Sequence, residues 1–264
     1  MEFQEILRHV TTRWLSLNPA IHRLMQTWTA LKSYFISLGE ECPKQLRVLL
    51  KLNEDSNEED GDIVEVYLLF CHNILSLFEE VVKKLESNAT TCVELYSIMD
   101  SFKQKLTQRR DDQFYGYLTK LKLQRLLEQD ANMARADFTA FLNTSISYVE
   151  KWFKFSEDNW LFSLQPLSLD HDTLTFNDVE KVASKLNLIH KVKMDDLYDE
   201  CITANAILKG LREDAAWKTK GVAARWMTVF QSPGADLPNM LSMMSHILSI
   251  PASTEYGKNL LQND

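Results

Sequence analysis

Apolar side chains recur every three or four residues along most of the chain, which is the spacing of one face of an α-helix. The longest such stripe consists of Ile63, Val66, Tyr67, Phe70, Ile74, Leu77, Phe78, Val81 and Leu85. A helix with an apolar stripe of this length has to pack against other helices. No repeat of fixed period is evident, which disfavours a helical solenoid. The pattern therefore predicts an all-α fold, an irregular multi-helix bundle.

Local signals place several helix boundaries. Asn18 can cap a first helix that has Pro19 at its first position and ends near Gly39. Thr175, with Asp178 three residues later, predicts a second capped start. Further helices are expected over residues 92–106, 194–211, 222–230 and 237–250. Residues 161–169 are split by Pro166, so they predict an irregular connection or a single edge strand.

One predicted helix carries an aromatic stripe. Its members are Phe138, Phe141, Ser145, Tyr148, Trp152 and Phe155. Such a stripe can form a ligand or base-stacking platform, but aromatic stripes at this spacing more commonly fill a core. We therefore expect this face of the helix to be buried.

Composition narrows the class of protein. The chain has 264 residues, is 45% hydrophobic and 25% charged, and contains only seven Gly and six Pro, which suits a helical globular protein. Its net charge of −8 disfavours a protein that coats DNA through excess Lys and Arg. The four cysteines lack CxxC spacing and predict reduced thiols. With no signal peptide or membrane-spanning stretch in view, we expect a soluble, intracellular protein.

Two motifs carry a family resemblance. The run Thr12-Arg13-Trp14-Leu15-Ser16-Leu17, with Pro19-Ala20 after it, resembles the segment that opens the helical inserted domain of hAT-superfamily DNA transposases. Near the other end, Ile247-Leu248-Ser249-Ile250-Pro251-Ala252-Ser253 resembles the C-terminal hAT segment that is often called the dimerisation region. Arg13, Trp14, Pro251 and Ser253 are the positions that match best.

The resemblance implies a division of the chain. Residues 1–17 are a leader, residues 18–232 an all-helical inserted-type domain, and residues 236–264 part of the C-terminal segment, with the boundary at Ser232-Pro233-Gly234. The RNase H-like core of such transposases is expected to be largely absent. The apolar face expected to mediate dimerisation comprises Leu237, Met240, Leu241, Met244, Ile247 and Leu248.

The resemblance also bears on catalysis. Family members hold two divalent ions with two Asp that precede the Arg-Trp segment and one Glu that follows the Pro-x-Ser motif. Both Asp are expected to be missing. Lys258 occupies the position that corresponds to the family's metal-binding Glu, and its ammonium group would repel a cation. Neither Cys71-His72 nor Asp170-His171-Asp172 has the spacing of a metal or nucleophile site, so no catalytic residue, metal or other cofactor is predicted.

A basic stretch offers the alternative to protein association. Its members are Lys103, Arg109, Arg110, Lys120, Lys122 and Arg125. They can form a solvated face balanced by nearby acids, or a surface that contacts DNA, as the inserted domain of the family does.

We expect a catalytically inactive, truncated hAT transposase-derived protein that associates with itself or another hAT-type protein. The alternative is a DNA-binding regulator. Neither a membrane partner nor a small-molecule substrate is expected. The expected location is nuclear or cytoplasmic, and the resemblance favours the nucleus.

Overall fold

A computed structural model describes residues 17–49 and 63–252, and within them it contains twelve α-helices and no strand. The helices are α1 (Leu17–Gln26), α2 (Trp28–Ser37), α3 (Lys44–Leu49), α4 (Ile63–Glu86), α5 (Cys92–Asp111), α6 (Tyr117–Leu123), α7 (Glu128–Trp152), α8 (Trp160–Ser163), α9 (Phe176–Lys185), α10 (Met194–Leu211), α11 (Val222–Phe230) and α12 (Pro238–Leu248). The all-α prediction is confirmed. Among the residues described, no helix combines the length and the apolar character needed to cross a bilayer.

The first predicted helix is in fact two. Helix α1 begins at Leu17, so Asn18 lies inside the first turn and is not the cap; its side-chain amide donates instead to Glu79. The chain turns at Thr27 before α2 begins. The Thr27 hydroxyl donates to the carbonyl oxygens of Arg23 at 3.0 Å and Leu24 at 3.3 Å, a side-chain bond that competes with the helical ladder.

Residues 161–169 contain helical turns and no strand. Helix α8 begins after Asn159, whose side chain accepts from the Leu161 N–H, and a 3-10 helix (Gln165–Ser168) follows. The edge-strand alternative is therefore wrong. Pro166 lies in the first turn of the 3-10 helix, where it needs no hydrogen-bond donor.

The start of α9 follows the sequence prediction. The Thr175 hydroxyl accepts from the Asp178 N–H at 3.2 Å, and the Asp178 carboxylate accepts from the Thr175 N–H at 3.3 Å. These reciprocal bonds are a capping box.

The chain divides into two compact units. The first consists of Met1–Glu80 and Phe102–Lys151, and the second of Val81–Ser101 and Trp152–Asp264. Helix α12, which lies beyond the predicted boundary at residues 232–234, packs against α10 and α11 of the second unit. The predicted boundary at residues 232–234 lies within the second unit.

The core of the first unit is built on aromatic rings from α4 and α7. Phe70 stacks on Phe138 with their ring centroids 4.1 Å apart, and Tyr115 meets Phe138 edge-on at 5.3 Å. The Tyr115 hydroxyl lies 2.7 Å from the Thr139 hydroxyl, so its polar end is hydrogen-bonded. The ring cluster therefore joins α7 to α4 and to the segment between α5 and α6.

The aromatic stripe of α7 is not the buried face. Phe138 is buried, but Phe141, Tyr148 and Trp152 are 42, 63 and 60% exposed. The residues that α7 buries are Ala131, Ala134, Phe138, Leu142, Ile146 and Val149. Both stripes have helical spacing, so periodicity alone cannot choose between them, and ring size favoured the wrong one.

The second unit has a larger aliphatic core around Trp226. This side chain is fully buried, and its indole N–H donates to the Leu167 carbonyl oxygen at 2.7 Å. Helices α8 to α12 and the start of α5 all contribute buried side chains to the same cluster. Burial of this apolar surface is the main force that holds these short helices together.

Candidate functional site

Helix α12, the predicted association element, has one face built into the core of the second unit. Leu237, Met240, Met244 and Ile247, four of the six predicted association residues, are buried there together with Met243. The other two, Leu241 and Leu248, are exposed and half-buried respectively. The larger part of the face expected to meet a partner is therefore occupied by packing within the chain.

Glu200 of α10 anchors the start of this helix. Its side chain is buried and accepts from the N–H of Asn239 at 3.0 Å and the N–H of Met240 at 2.7 Å. The Asn239 side-chain amide donates to the same carboxylate at 2.6 Å. The N–H groups of Asn239 and Met240 are backbone donors that a helix N-terminus leaves without intrahelical partners, and the helix dipole favours a negative charge there. Sequence reasoning missed this contact because the two segments are 39 or 40 residues apart.

The outer face of α12 has no carboxylate, ammonium or guanidinium group. The helix sequence, PNMLSMMSHIL, contains no Asp, Glu, Lys or Arg. Leu241 is 47% exposed, and the other exposed positions include Ser242 and Ser245. Leu241 and Leu248 are seven residues apart and lie on the same side of the helix. This outer face thus carries apolar and hydroxyl groups and the exposed imidazole of His246, on a well-anchored helix.

The family-like motif after α12 is only partly within the described residues. Pro251 forms an antiparallel bridge with Thr91, and the Cys92 thiol donates to the Ile247 carbonyl oxygen at 3.2 Å. Burial raises the pKa of Cys92 to about 12. Arg13, Trp14, Ser253 and Lys258 lie outside the described residues.

Three of the six predicted basic residues are paired with carboxylates within the first unit. Lys103 pairs with Glu150 at 2.7 Å, Lys122 with Glu65 at 2.7 Å, and Arg110 with the adjacent Asp111 at 2.7 Å. A cation that is already paired with a carboxylate attracts a phosphate more weakly.

Arg109 has a structural role in the same unit. It donates to the Asn73 side-chain oxygen at 2.5 Å and lies over the Phe114 ring, 5.4 Å from its centroid. Burial lowers the pKa of this guanidinium. Asn73 in turn lies against Gly116, where φ is +118° and an added Cβ would come within 2.9 Å of the Asn73 side chain. Arg109 therefore links α4 and α5 near a tight glycine turn.

Lys120 and Arg125 are the remaining two of the six. Both are exposed, and no carboxylate among the described residues pairs with either. Tyr117, on α6 with Lys120, is 66% exposed. Of the six basic residues predicted to contact DNA, Lys120 and Arg125 are thus the two that are exposed without a carboxylate partner in the described part of the chain, and the exposed Tyr117 ring lies on the same helix as Lys120.

The Asp170-His171-Asp172 segment before α9 makes structural contacts with two arginines. Asp170 accepts from Arg225 at 2.5 Å, while the carbonyl oxygens of His171 and Asp172 accept from Arg212. Arg225 also lies over the Trp217 ring, 5.7 Å from its centroid. Across the described parts of the chain, no three His, Cys, Asp or Glu side chains converge on a point where a metal ion could be held.

Two histidines come together that sequence reasoning did not connect. His22 on α1 and His72 on α4 are stacked, with Nδ1 of His22 3.1 Å from Nε2 of His72. The pKa of His72 is lowered, mainly by burial and further by His22, although Glu79 opposes the shift. Cys71 is half-buried, and burial raises its pKa. No motif could have found this pair, because its members are 50 residues apart on separate amphipathic helices.

Comparison of the chain with models of known protein families, with curated proteins and with solved structures found no match.

Proposed function

We propose that this chain is a catalytically inactive protein derived from a hAT-superfamily transposase, and that it acts by associating with a second copy of itself or with another hAT-type protein. The Arg13-Trp14 and Pro251-Ala252-Ser253 motifs support the relationship. Lys258, in the register of the family's metal-binding Glu, supports the absence of DNA cleavage, since an ammonium group repels divalent cations. The nucleus is the expected location for a protein of this origin, with the cytoplasm as the alternative.

The observation that carries the association is the outer face of α12, which has no carboxylate, ammonium or guanidinium group. Charged residues are depleted at the centres of protein interfaces, and α12 has no Asp, Glu, Lys or Arg along its eleven residues. Its inner face is held by the core and by Glu200, so the helix is already ordered before a partner binds. An ordered surface loses less entropy on association than a flexible one does.

A two-fold arrangement suits this face. Most soluble oligomers are symmetric, and a two-fold axis brings the same patch of both copies together. Leu241 would then meet its counterpart across the axis, and Ser242 and Ser245 are small enough to let the two helices approach closely. Of the six residues that the sequence predicts for the interface, we therefore assign Leu241 and Leu248 to it, because the other four are buried within the chain.

The oligomeric state of the purified chain tests this proposal. Light scattering after size exclusion, or sedimentation velocity, from about 1 to 100 μM should show a dimer, because weak specific interfaces have dissociation constants in the micromolar range. Leu241→Glu should shift the chain to monomer, since it would bury a charge at the axis. Leu118→Glu is the matched control: Leu118 is also exposed but lies on α6, and this variant should dimerise like the wild type.

A wild-type chain that stays monomeric at 100 μM would overturn the proposal, as would a Leu241→Glu variant that dimerises normally. The control separates loss of this interface from a general effect of added negative charge.

DNA binding is the second candidate. Lys120, Arg125 and the exposed Tyr117 favour it, because cations attract phosphates and an aromatic ring can stack on a base. The ion pairs of Lys103 and Lys122 weigh against a strong interaction.

A further inference from the structure

The His22–His72 pair has the geometry of two metal ligands. The distance of 3.1 Å joins Nδ1 of His22 to Nε2 of His72. Zinc binds imidazole nitrogen at about 2.0–2.1 Å, so an ion at that distance from both atoms would subtend an N–Zn–N angle of about 100°. This angle is close to the tetrahedral value that zinc adopts. The facing nitrogens lie between ring centroids that are 5.2 Å apart, so each ring would have to turn by roughly 40° for its lone pair to point at the ion.

The two helices that carry these rings are fixed close to the pair. The Asn18 side-chain amide on α1 donates to the Glu79 carboxylate on α4. Asn18 precedes His22 by four residues, so the contact lies one turn away on α1. Both histidines belong to the first unit, and His72 lies in the long helix α4, whose buried residues include Phe70 and Ile74. The backbones that carry the two ligands are therefore already in place, and only side chains need to turn to bind an ion.

Hydrogen bonds connect the two rings to each other and to Gln26. The Gln26 amide nitrogen lies 2.9 Å from Nε2 of His22 and donates to it. The proton of His22 is then on Nδ1, which donates to Nε2 of His72. A nitrogen that carries a proton has no lone pair for a metal, so zinc binding requires both facing nitrogens to be free of protons.

We propose that His22 and His72 together bind one zinc ion, with water molecules in the remaining coordination positions. Imidazole pairs suit zinc and its transition-metal neighbours and not magnesium or calcium, which require oxygen ligands. Binding needs the His22 proton to move from Nδ1 to Nε2. The Gln26 side chain can accept that proton's hydrogen bond through its amide oxygen once the amide turns over, which is the outer-shell support that zinc-bound histidines ordinarily have.

The site is open to solvent on one side. His22 is exposed and His72 is partly exposed, so zinc can enter without local unfolding. Cys71 is adjacent to His72, but consecutive helical residues point to different faces, so its thiol is not a third ligand here. The proposal does not depend on dimerisation and stands or falls separately from the proposed function.

Zinc titration of the metal-free chain tests the proposal. A fluorescent zinc indicator in competition with the protein should report one saturable site per chain that binds in the micromolar range. His22→Gln and His72→Gln should each weaken it at least tenfold, because each removes one of two protein ligands. His190→Gln removes an exposed histidine elsewhere, and Cys71→Ser removes the neighbouring thiol; both should bind zinc like the wild type.

A second measurement separates ligation from misfolding. The Tm of the wild type should rise by about 2 °C or more at zinc concentrations well above the dissociation constant, because an ion that binds only the native state stabilises it. The Tm of His22→Gln and His72→Gln in the presence of a chelator should match that of the wild type, and zinc should not raise it. Zinc binding that survives both histidine changes, binding that is lost in Cys71→Ser, or no saturable site below 100 μM would each overturn the proposal.

Discussion

Glu200 has an ionisable carboxyl group, yet its side chain is buried. A carboxylate is rarely buried unless it is paired or fully hydrogen-bonded, and only 5% of this residue is exposed. Its two oxygens accept from Asn239 and from the backbone of Met240, so the charge is satisfied by the start of α12. The same carboxylate anchors the helix proposed to carry the dimer contact.

Replacing Glu200 should therefore destabilise the second unit. Glu200→Ala leaves the Met240 N–H buried without an acceptor, and we expect the free energy of unfolding to fall by about 3 kcal/mol, the range for hydrogen bonds to a charged group. Glu200→Gln keeps one acceptor oxygen and should cost less. Urea unfolding followed by circular dichroism measures both values. Glu213→Ala removes an exposed carboxylate and should change stability by less than about 0.5 kcal/mol; an equal loss in both alanine variants would contradict the anchoring role.

At the scale of helices, α7 shows how two stripes of equal spacing compete. Leu142 is fully buried, whereas Tyr148 on the neighbouring stripe is 63% exposed. The buried stripe consists of Ala131, Ala134, Phe138, Leu142, Ile146 and Val149. Apart from Phe138 its members are alanines and aliphatic residues, so these mark the buried side of the helix better than most of its aromatic rings do.

The two stripes should respond differently to truncation. Leu142→Ala should lower the free energy of unfolding by about 3 kcal/mol, since it opens a cavity in a close-packed core. Tyr148→Ala should cost less than about 1 kcal/mol, because most of its ring already faces solvent. Thermal or urea unfolding of the two variants makes the comparison. A larger loss for Tyr148→Ala would mean that the aromatic stripe is the buried face after all.

Taken over the whole molecule, the distribution of charge separates the two candidate functions. The chain carries a net charge of −8, and the ion pairs in the first unit leave Lys120 and Arg125 as the exposed cations of the predicted basic set. Association through α12 does not depend on these cations, since that helix contains no Lys or Arg. DNA binding depends on them entirely.

Salt dependence should show how many cations reach DNA. If Lys120 and Arg125 alone meet phosphates, the slope of log Kobs against log salt concentration should be about −2, whereas six contacts would give about −5. Fluorescence anisotropy with a labelled duplex between low and physiological salt measures the slope. Binding should be lost in the double variant Lys120→Glu/Arg125→Glu and kept in Lys209→Glu, which reverses an exposed charge on α10. A slope near −5 would show that the paired lysines and arginines are released to bind DNA.

The sequence by itself determined the helical class, most helix positions and the cap of α9. Those features depend on local spacing and on bonds between residues three apart, such as Thr175 and Asp178, so they can be read from a short stretch of chain. The two family-like motifs also belong to the sequence, because they are defined by residue identity alone.

Only the tertiary structure decided which faces are buried and which distant residues meet. The choice between the two stripes of α7, the burial of Met240 and Met244, and the pairing of Lys122 with Glu65 all depend on neighbours far along the chain. The same holds for Glu200 with α12 and for His22 with His72, whose partners are 39 to 50 residues away. Periodicity records that a helix has an apolar side, but packing determines which side it buries and what lies opposite, because burial is a property of the whole assembled core.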